Sequence, residues 1–312
     1  MINILSYTPE KQSEWDAFID ASKNGTFMLK RGYVEYHSDR FKDFSLMFYD
    51  DDALIAVMPA SLHGDVVRSH GGLTYGGIIS DRKMTTPKML EIFDALKAFL
   101  KEKDISKLLY KRVPVIYHKY PSDEDMYALF RNDAKLVRRD ISTAVYLPDR
   151  IKFSELRRRG AKKAVKNGLE IRQSFDYDGY IALLTEVLSV HHATKPVHTG
   201  AELALLAGRF PEVIKLYCAY RGEEMMAGVL IFDTPLTVHA QYIANSEEGR
   251  NIGALDLVMD YLINTYSEGK TYFDFGISTE EGGTVLNYGL IGQKEMFGGR
   301  GIVYEFYEME IK

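Results

Sequence analysis

The chain has 312 residues, of which 46% are hydrophobic and 27% charged, and its formal net charge is -5. This composition is typical of an ordered globular protein long enough for two domains, and the acidic balance excludes a general attraction to nucleic acid or anionic lipid. The single cysteine, Cys218, excludes an internal disulfide framework. The sequence has neither a signal peptide pattern nor a stretch of ~20 apolar residues, so we expect a cytoplasmic protein without membrane insertion.

The first half of the sequence predicts a sheet followed by helices. Its first two strands pair across the acidic turn Asp50–Asp52, and Thr86 with Pro87 carries the start signals of a helix whose apolar residues recur at helical spacing. The predicted strands are residues 44–49, 53–59, 73–79 and 108–113, and the predicted helices are residues 86–100 and 123–130.

The second half repeats this order. Its first two strands pair across residues 221–224, and Leu255, Val258, Met259 and Leu262 form the apolar face of a helix. The predicted strands are residues 213–220, 225–232, 236–243 and 272–275, and a last helix is predicted at residues 284–297. Two copies of one unit explain the pattern most simply, so we predict one domain over residues 1–148 and a second over residues 149–312.

A strongly basic segment opens the second domain. Ser154 to Lys166 reads as a helix rich in Arg and Lys that ends at Asn167-Gly168. Such a run is either a solvated helix face or a set of donors for the phosphate oxygens of a ligand lying across the cleft between the domains. The sequence alone leaves both interpretations open.

These features resemble a known group of enzymes. The order of elements in each half resembles the GNAT acyltransferase fold, and the tandem arrangement with Phe273-Asp-Phe-Gly276 and Lys294-Glu-Met-Phe-Gly-Gly299 resembles the Fem-type (FemABX) peptidyltransferases and their bacterial relatives. The resemblance implies an α/β (α+β) fold of two tandem GNAT-like domains, each a mixed, mainly antiparallel sheet flanked by helices. It also implies a degenerate N-terminal domain on the acceptor side and a catalytic C-terminal domain on the acyl-donor side.

The resemblance implies a coenzyme A site as well. GNAT enzymes hold the pyrophosphate of acyl-CoA in a loop that leads into a helix, where backbone N–H groups and the helix dipole favour an anion. Residues 249–255 occupy that place here, which assigns Arg250, Asn251, Gly253 and Ala254 to cofactor binding, although an ordinary glycine turn is the alternative. The corresponding segment of the first half, residues 80–87, contains no glycine, so we expect no coenzyme there.

A second spacing concerns the last helix. In many GNAT enzymes an Asn after the fifth strand is followed seven residues later by a Tyr that protonates the departing thiolate. Asn287 takes the Asn position here, and Lys294 takes the Tyr position, as in Fem-type enzymes, where the lysine is thought to neutralise charge near the transferred group. We expect Asn287 to contact the cofactor and Lys294 to offset a developing negative charge.

Candidate proton-transfer residues lie on two strands. The sequence contains no recognisable nucleophile motif, which favours direct transfer without an acyl-enzyme. Strand alternation places His239 on one side of its strand and Tyr242 on the other, and both are catalytic candidates, although a histidine in this setting is also typical of a hydrogen-bonded core residue. Asp274 lies between two phenylalanines and must find a partner, so we interpret it as orienting the site.

Acceptor contacts are predicted in both halves. In Fem-type proteins the segment equivalent to the early residues of this chain binds substrate. In the second half, the histidines at positions 191, 192 and 198 lack a carboxylate or cysteine at metal-ligand spacing, so we prefer acceptor contact to a metal site there. The predicted substrate-binding residues are Lys30, Arg31, Tyr36, His192 and Tyr288.

Three functions fit these observations. The first is an N-acyltransferase that moves an acyl group from acyl-CoA, with acetyl-CoA preferred, or from a carrier thioester to an amine such as an amino sugar or a cell-envelope precursor. The second is a Fem-type peptidyltransferase that uses aminoacyl-tRNA, and the third is a non-catalytic saccharide or nucleotide-sugar binding protein. The first two require a channel between two diverging strands of the second domain, with amide groups at one mouth and an ammonium group at the other. The acyl chain, the acceptor and the oligomeric state stay open.

Overall fold

The computed structural model of the chain describes residues 2–191 and 196–311. Its contacts divide the chain into two compact units. Unit 1 comprises Met1–Ile141, Thr279–Val285 and Val303–Lys312, and unit 2 comprises Ser142–Ser278 and Leu286–Ile302. Because these units follow contacts alone, the domain boundary at residue 148 and the roles assigned to the two domains stay predictions.

The first part of the chain forms short strands and two longer helices. Its strands are β1 (Ile2–Ser6), β2 (Lys42–Asp43), β3 (Leu46–Asp50), β4 (Ala53–Met58), β5 (Ser61–His63), β6 (Val66–Arg68), β7 (Ile79–Ser80), β8 (Lys107–Lys111) and β9 (Lys135–Tyr146). Its helices are α1 (Gln12–Ala21), α2 (Arg31–Val34), α3 (Thr86–Glu102) and α4 (Glu124–Arg131).

Unit 1 contains an antiparallel sheet in the order β1-β3-β4-β7. Helix α3 packs its apolar face into a buried cluster that includes Phe48, Phe93 and Leu96. The predicted pairing of β3 and β4 is present. The predicted third strand is reduced to β7, because the chain bends at Gly77, whose φ of 80° is left-handed. The cap of α3 is Thr85, one residue before the predicted one.

The rest of the chain alternates longer strands with helices. Its helices are α5 (Glu155–Lys166), α6 (Tyr177–His191), α7 (Gly200–Arg209), α8 (Glu247–Ile252), α9 (Ala254–Thr265) and α10 (Tyr288–Glu295). Its strands are β10 (Glu170–Ser174), β11 (Ile214–Arg221), β12 (Glu224–Asp233), β13 (Thr237–Asn245), β14 (Tyr272–Ile277), β15 (Thr279–Glu280), β16 (Val285–Leu286) and β17 (Arg300–Glu310).

In unit 2 the strands lie in the order β10-β11-β12-β13-β14, and the residues of β9 from Ser142 onward pair antiparallel with β14. The sheet is antiparallel except between β13 and β14, which run parallel. Helix α9 buries Val258, Met259 and Leu262 against one face of this sheet. The fold class is confirmed: the protein is a mixed α/β structure with mainly antiparallel sheets flanked by helices.

A β-bulge in β13 changes which side chains share a face. Leu230 of β12 pairs with Tyr242, and the next residue, Ile231, pairs with Ala240, so Gln241 is an extra residue. Phe232 pairs with His239, and because Leu230 and Phe232 point to the same side of β12, Tyr242 and His239 also share a side. The prediction that they lie on opposite sides was therefore wrong.

The end of the chain differs from the prediction as well. The last helix, α10, begins at Tyr288 rather than at Thr284, because Asn287 caps it, and it ends at Glu295. None of the helices in the described part of the chain is both long and apolar enough to cross a membrane.

Candidate active site

The site begins where two neighbouring strands of unit 2 separate. Among the described residues, the parallel ladder of β13 and β14 joins Thr237–His239 to Tyr272–Asp274 and extends no further. Strand β13 then continues to Asn245, while β14 bends at Gly276, whose φ is 77°, and pairs with β9 at Ile277. The predicted divergence of the two strands is present in the structure.

A cavity of about 520 Å³ lies beside the separated strands, and its lining residues all belong to unit 2. Leu255, Met259, Phe275 and Phe297, which also belong to the buried core, form an apolar wall. The remaining lining residues are Val187, Leu188, Ile243, Asn245, Arg250, Asn287, Leu290, Gln293 and Lys294. A mostly apolar cavity of this size with a few polar groups is typical of a small-molecule site.

Lys294 projects from α10 with its ammonium group buried. Its side chain is 4% exposed, and Nζ donates to the carbonyl oxygens of Gly276 and Ile277, both at 2.8 Å, and to Oγ of Ser278 at 2.9 Å. Burial lowers the pKa of Lys294 to about 8, and the nearby Asp274 carboxylate opposes this shift. The lysine therefore carries a positive charge at neutral pH that is held at the bend of β14.

Asp274 connects three parts of unit 2. Its carboxylate is fully buried, with Oδ2 2.7 Å from Nδ1 of His239 and Oδ1 accepting from Oγ of Ser142 at 2.5 Å and from the Gly276 amide at 3.2 Å. With the carboxylate ionised, Nδ1 of His239 carries the proton and Nε2 is left as the acceptor. The pair has the geometry of an oriented general base, and Ser142 is a member that the sequence analysis did not find.

Tyr242 lies on the same side of β13 as His239. Its hydroxyl group is 2.6 Å from Nδ1 of His198, and burial raises its pKa, so the phenol stays protonated at neutral pH. His192 lies outside the described residues. Within residues 2–191 and 196–311, no group of three His, Cys, Asp or Glu side chains is arranged to hold a metal ion.

The predicted pyrophosphate loop is largely helical. Residues 247–252 form α8, which Ser246 caps, and Gly253 joins it to α9 with a left-handed φ of 82°. A Cβ on Gly253 would lie 2.3 Å from the carbonyl oxygen of Gly160 in α5, so the two helices approach closely here. This helix corrects the loop that the sequence analysis predicted. The Ser cap and the two glutamates that follow it favour a helix.

Helix α5 also satisfies groups around the first turn of α9. Arg157 donates to the carboxylate of Asp256 at 2.9 Å, and Lys163 donates to the carbonyl oxygen of Asn251 at 2.7 Å. Ala254 is fully buried. Of the four residues predicted to hold the cofactor phosphates, the structure therefore brings Arg250 to the cavity and places the other three against α5 or in the core.

Asn287 and Tyr288 mark the start of α10. The side chain of Asn287 accepts from the amide of Leu290 at 2.9 Å, which makes it the helix cap, and the residue also lines the cavity. Tyr288 is 80% exposed. The structure thus places Asn287 at the cavity together with Lys294, while Tyr288 projects into solvent.

The predicted acceptor residues of unit 1 have partners of their own. Lys30 pairs with Asp20 at 2.7 Å, and Tyr36 stacks on His37 with ring centroids 4.2 Å apart. Arg31 is 2% exposed. Its guanidinium bonds to Glu35, Asp43 and Ser45 and lies 3.7 Å from the ring centroid of Tyr7. This burial speaks against the predicted substrate contact of Arg31, whose position is explained by packing and ion pairing.

Comparisons with known proteins agree with this geometry. Residues 153–282 match the family described as acetyltransferase (GNAT) domain. The whole chain superimposes on FemX, with a TM-score of 0.69 and 12% identity over 98% of this chain and 96% of that one. It also resembles L-PGS from Bacillus licheniformis, with a TM-score of 0.64 and 12% identity over 98% and 93% of the two chains.

A third structure has a tandem layout. It is described as a tandem GNAT protein from the clavulanic acid biosynthesis pathway, with a TM-score of 0.52 and 10% identity over 100% of this chain and 99% of that one. At such low identities these structures show the fold alone. A search of curated protein sequences gives no significant match.

The family match and the site together define the class of protein: residues 153–282 form a GNAT acetyltransferase domain, which makes the protein an acyltransferase. The chain as a whole is similar in fold to FemX. The predicted family resemblance and enzyme class are confirmed, which leaves the non-catalytic hypothesis without support.

Proposed function

We propose that the protein transfers an acyl group from acyl-CoA or a carrier thioester to an amine in the cytoplasm, with acetyl-CoA as the first donor to test. An amino sugar or a cell-envelope precursor is the proposed acceptor. The observation that carries the proposal is the gap between β13 and β14, which leaves strand edges able to hydrogen-bond an extended donor arm. The adjoining cavity offers space for the arm and the acyl group.

The proposed chemistry is a direct transfer. The amine nitrogen attacks the thioester carbonyl carbon, a C–N bond forms and the C–S bond breaks, and the departing thiolate takes up one proton, which balances the one that the amine nitrogen loses. His239, oriented by Asp274, accepts the proton that the amine loses, because its Nε2 is the remaining acceptor of the ring. The Lys294 ammonium group stabilises, by its positive charge, the negative charge that develops during the transfer. The protonated Tyr242 hydrogen-bonds to His198 and holds the side chains next to His239 in place.

Arg250 supports a phosphate-bearing donor, because it brings a cation to the wall of the cavity. In this proposal Asn251, Gly253 and Ala254 act indirectly, by forming the junction of α8 and α9 that positions Arg250. Asn287 caps α10 beside the donor, while Lys30, Tyr36, His192 and Tyr288 stay as proposed acceptor contacts. No metal takes part.

The experiment combines binding with product formation. Acetyl-CoA and longer acyl-CoA species are added to the protein in a thermal-shift assay, and thiol release is then followed with a panel of amines. We expect a donor-dependent rise in the melting temperature and amine-dependent thiol release. Arg250→Ala should raise the KM for the donor, whereas Arg82→Ala, a control at an exposed position of unit 1, should not. The absence of any shift and any thiol release would contradict the CoA proposal.

One observation favours a second candidate, the transfer of an aminoacyl group from charged tRNA. Helix α5 packs on the start of α9, where GNAT enzymes otherwise bind pyrophosphate, and it presents exposed cations such as Lys162 and Lys166 to solvent. An aminoacyl ester needs no pyrophosphate site, and its RNA carries phosphates that bind Lys and Arg.

This candidate has its own test. Binding of aminoacyl-tRNA is measured at two moderate salt concentrations for the wild type and for Lys162→Ala/Lys166→Ala. The matched control is Lys83→Ala/Lys101→Ala, which removes two exposed lysines of unit 1. Weaker binding confined to the α5 variant supports the tRNA donor, and equal binding by all three proteins, or none, contradicts it.

A further inference from the structure

The bend of β14 leaves two carbonyl groups in need of partners. The ladder with β13 ends at Asp274, and the chain turns at Gly276. The carbonyl oxygens of Gly276 and Ile277 then both accept from Nζ of Lys294. Both bonds are partly buried, and a hydrogen bond from a charged donor is stronger than one between neutral groups, so these two bonds stabilise the bent course of the strand.

Ser278 completes the arrangement from the same segment. It is 1% exposed, and its hydroxyl group accepts the third bond from Nζ of Lys294. Its carbonyl oxygen accepts from the amide of Asn287 at 2.9 Å, which fixes the start of the helix that bears Lys294. Ser278 thus joins the end of β14 to α10 by two hydrogen bonds, one through its hydroxyl group and one through its carbonyl oxygen.

We propose that Lys294 and Ser278 form a clasp that holds the end of β14 away from β13. The clasp keeps open the donor gap, which is the space between the separated ends of β13 and β14. The clasp consists of Nζ of Lys294, the carbonyl oxygens of Gly276 and Ile277, and the Ser278 hydroxyl group. An ammonium group has three N–H donors, and all three are used here. Lys294 is therefore a positioning residue: its charge acts on the site, while its hydrogen bonds hold the strand.

The hydroxyl group makes the clasp independent of the charge on the lysine. When Lys294 is protonated, Oγ of Ser278 accepts; when Lys294 is neutral, its two remaining N–H groups serve the carbonyls and its lone pair accepts from the Ser278 O–H. An alanine at position 278 would leave the third proton of the buried ammonium without a partner, which disfavours the charged form.

Unit 1 contains a matched control. Lys111 is also buried, its Nζ donates to the carbonyl oxygens of Gly71 and Leu73 at 3.2 and 2.7 Å, and burial likewise lowers its pKa to about 8. It belongs to β8 and does not line the cavity of unit 2. Replacing it removes a comparable lysine contact from unit 1.

The first test is amide hydrogen exchange on Lys294→Met and Lys111→Met, without any ligand. In Lys294→Met we expect exchange of residues 240–245 and 274–278 to become faster by about tenfold or more relative to wild type, because the strand ends lose their anchor. Lys111→Met should leave these segments unchanged. Unchanged or slower exchange in Lys294→Met would overturn the clasp.

The second test uses Ser278, whose replacement is milder. The pKa of Lys294 is measured by NMR from its ¹³Cε shift; we expect Ser278→Ala to lower this pKa by about one unit or more and Ser278→Thr to restore it. An unchanged pKa in Ser278→Ala would also overturn the clasp, even if Lys294→Met proves unable to fold.

The third test depends on the proposed function. Affinity for acetyl-CoA should fall about tenfold or more in Lys294→Met and stay at the wild-type value in Lys111→Met. Equal affinity in all three proteins overturns the clasp as a determinant of the gap. If the wild type itself binds no acyl-CoA, the proposed donor is wrong, and the exchange and NMR results still decide the clasp.

Discussion

His239 and Asp274 face each other on the last paired rung of β13 and β14, with Nδ1 of the histidine 2.7 Å from Oδ2 of the aspartate. The two strands separate directly after this rung. His239 therefore occupies the strand position at which the gap begins, although it is not among the residues that line the cavity. The pairing of β13 with β14 thus fixes the distance between His239 and Asp274, and the proposed proton transfer depends on that distance.

This relationship predicts the effect of changing either partner. We expect His239→Gln to lower kcat/KM by about 10² or more, because a positioned general base contributes on the order of 10²–10⁴ to the rate. Asp274→Asn should lower it comparably, since an amide no longer fixes the tautomer of His239. The measurement is kcat/KM against pH with the donor that the wild type accepts.

A histidine of unit 1 provides the control. His118 in unit 1 is half-buried, and its Nε2 lies 2.9 Å from the carbonyl oxygen of Val113. His118→Gln should leave kcat/KM unchanged. Wild-type kcat/KM in His239→Gln over the whole pH range would rule out the histidine as the base.

Lys294 makes stability depend on pH in the alkaline range. Burial lowers its pKa from the ordinary 10.5 to about 8, so between these values the unfolded chain binds a proton that the folded chain does not. The free energy of unfolding must then rise with pH over this window, by about 1.4 kcal/mol per pH unit from this residue. Urea unfolding at pH 8 and pH 9.5 should show a smaller rise in Lys294→Met than in wild type. An equal rise in both proteins would show that the lysine has an ordinary pKa.

His70 makes unit 1 sensitive to acid. Burial, helped by the nearby His37 and Lys111, lowers the pKa of His70 from 6.5 to about 3. Below pH 6.5 the unfolded chain takes up a proton that the folded chain refuses, so stability falls as the pH drops toward 3, by about 1.4 kcal/mol per pH unit. Urea unfolding at pH 7 and pH 4.5 should show a smaller loss in His70→Phe than in wild type. The same loss in both would contradict the assigned role of His70.

The close approach of α5 and α9 predicts a large effect at Gly253. Its φ is 82°, and an added Cβ would lie 2.3 Å from the Gly160 carbonyl oxygen, so Gly253→Ala combines backbone strain with a clash. Gly168 has a similar φ of 75° but no atom within 4 Å of the added Cβ. We expect Gly168→Ala to cost about 1 kcal/mol and Gly253→Ala to cost about 3 kcal/mol or more in urea unfolding. Equal costs would show that the helices can move apart.

Much of the sheet in unit 2 could be predicted from the sequence. The apolar runs placed β11 and β12 within about two residues of their observed bounds, because buried strands separated by a charged turn carry a strong pattern. The carboxylate of Asp274 between two phenylalanines correctly indicated a buried partner. Lys294, which the family resemblance singled out, lines the cavity, and its role in charge stabilisation stays a prediction.

Other parts depend on contacts that no local pattern encodes. The bulge at Gln241 follows from the register of β12 and β13, and it reversed the predicted side of Tyr242 relative to His239. Ser142 meets Asp274 only because β9 pairs with β14, which is 132 residues away in sequence. The burial of Arg31 likewise results from partners on other elements. For α8 a local signal did exist in the Ser246 cap.

The measurement that tests the central claim most directly is donor binding to a variant that fills part of the cavity beside the gap. Met259 lines the cavity from α9, and Met259→Trp should occupy part of its space. Acyl-CoA and aminoacyl-tRNA are titrated in parallel against wild type and Met259→Trp, after circular dichroism has shown that both proteins are folded. The account predicts that wild type binds one of these donors and that Met259→Trp binds it at least about tenfold more weakly. Wild-type affinity in the variant would contradict the claim that the acyl donor enters between β13 and β14.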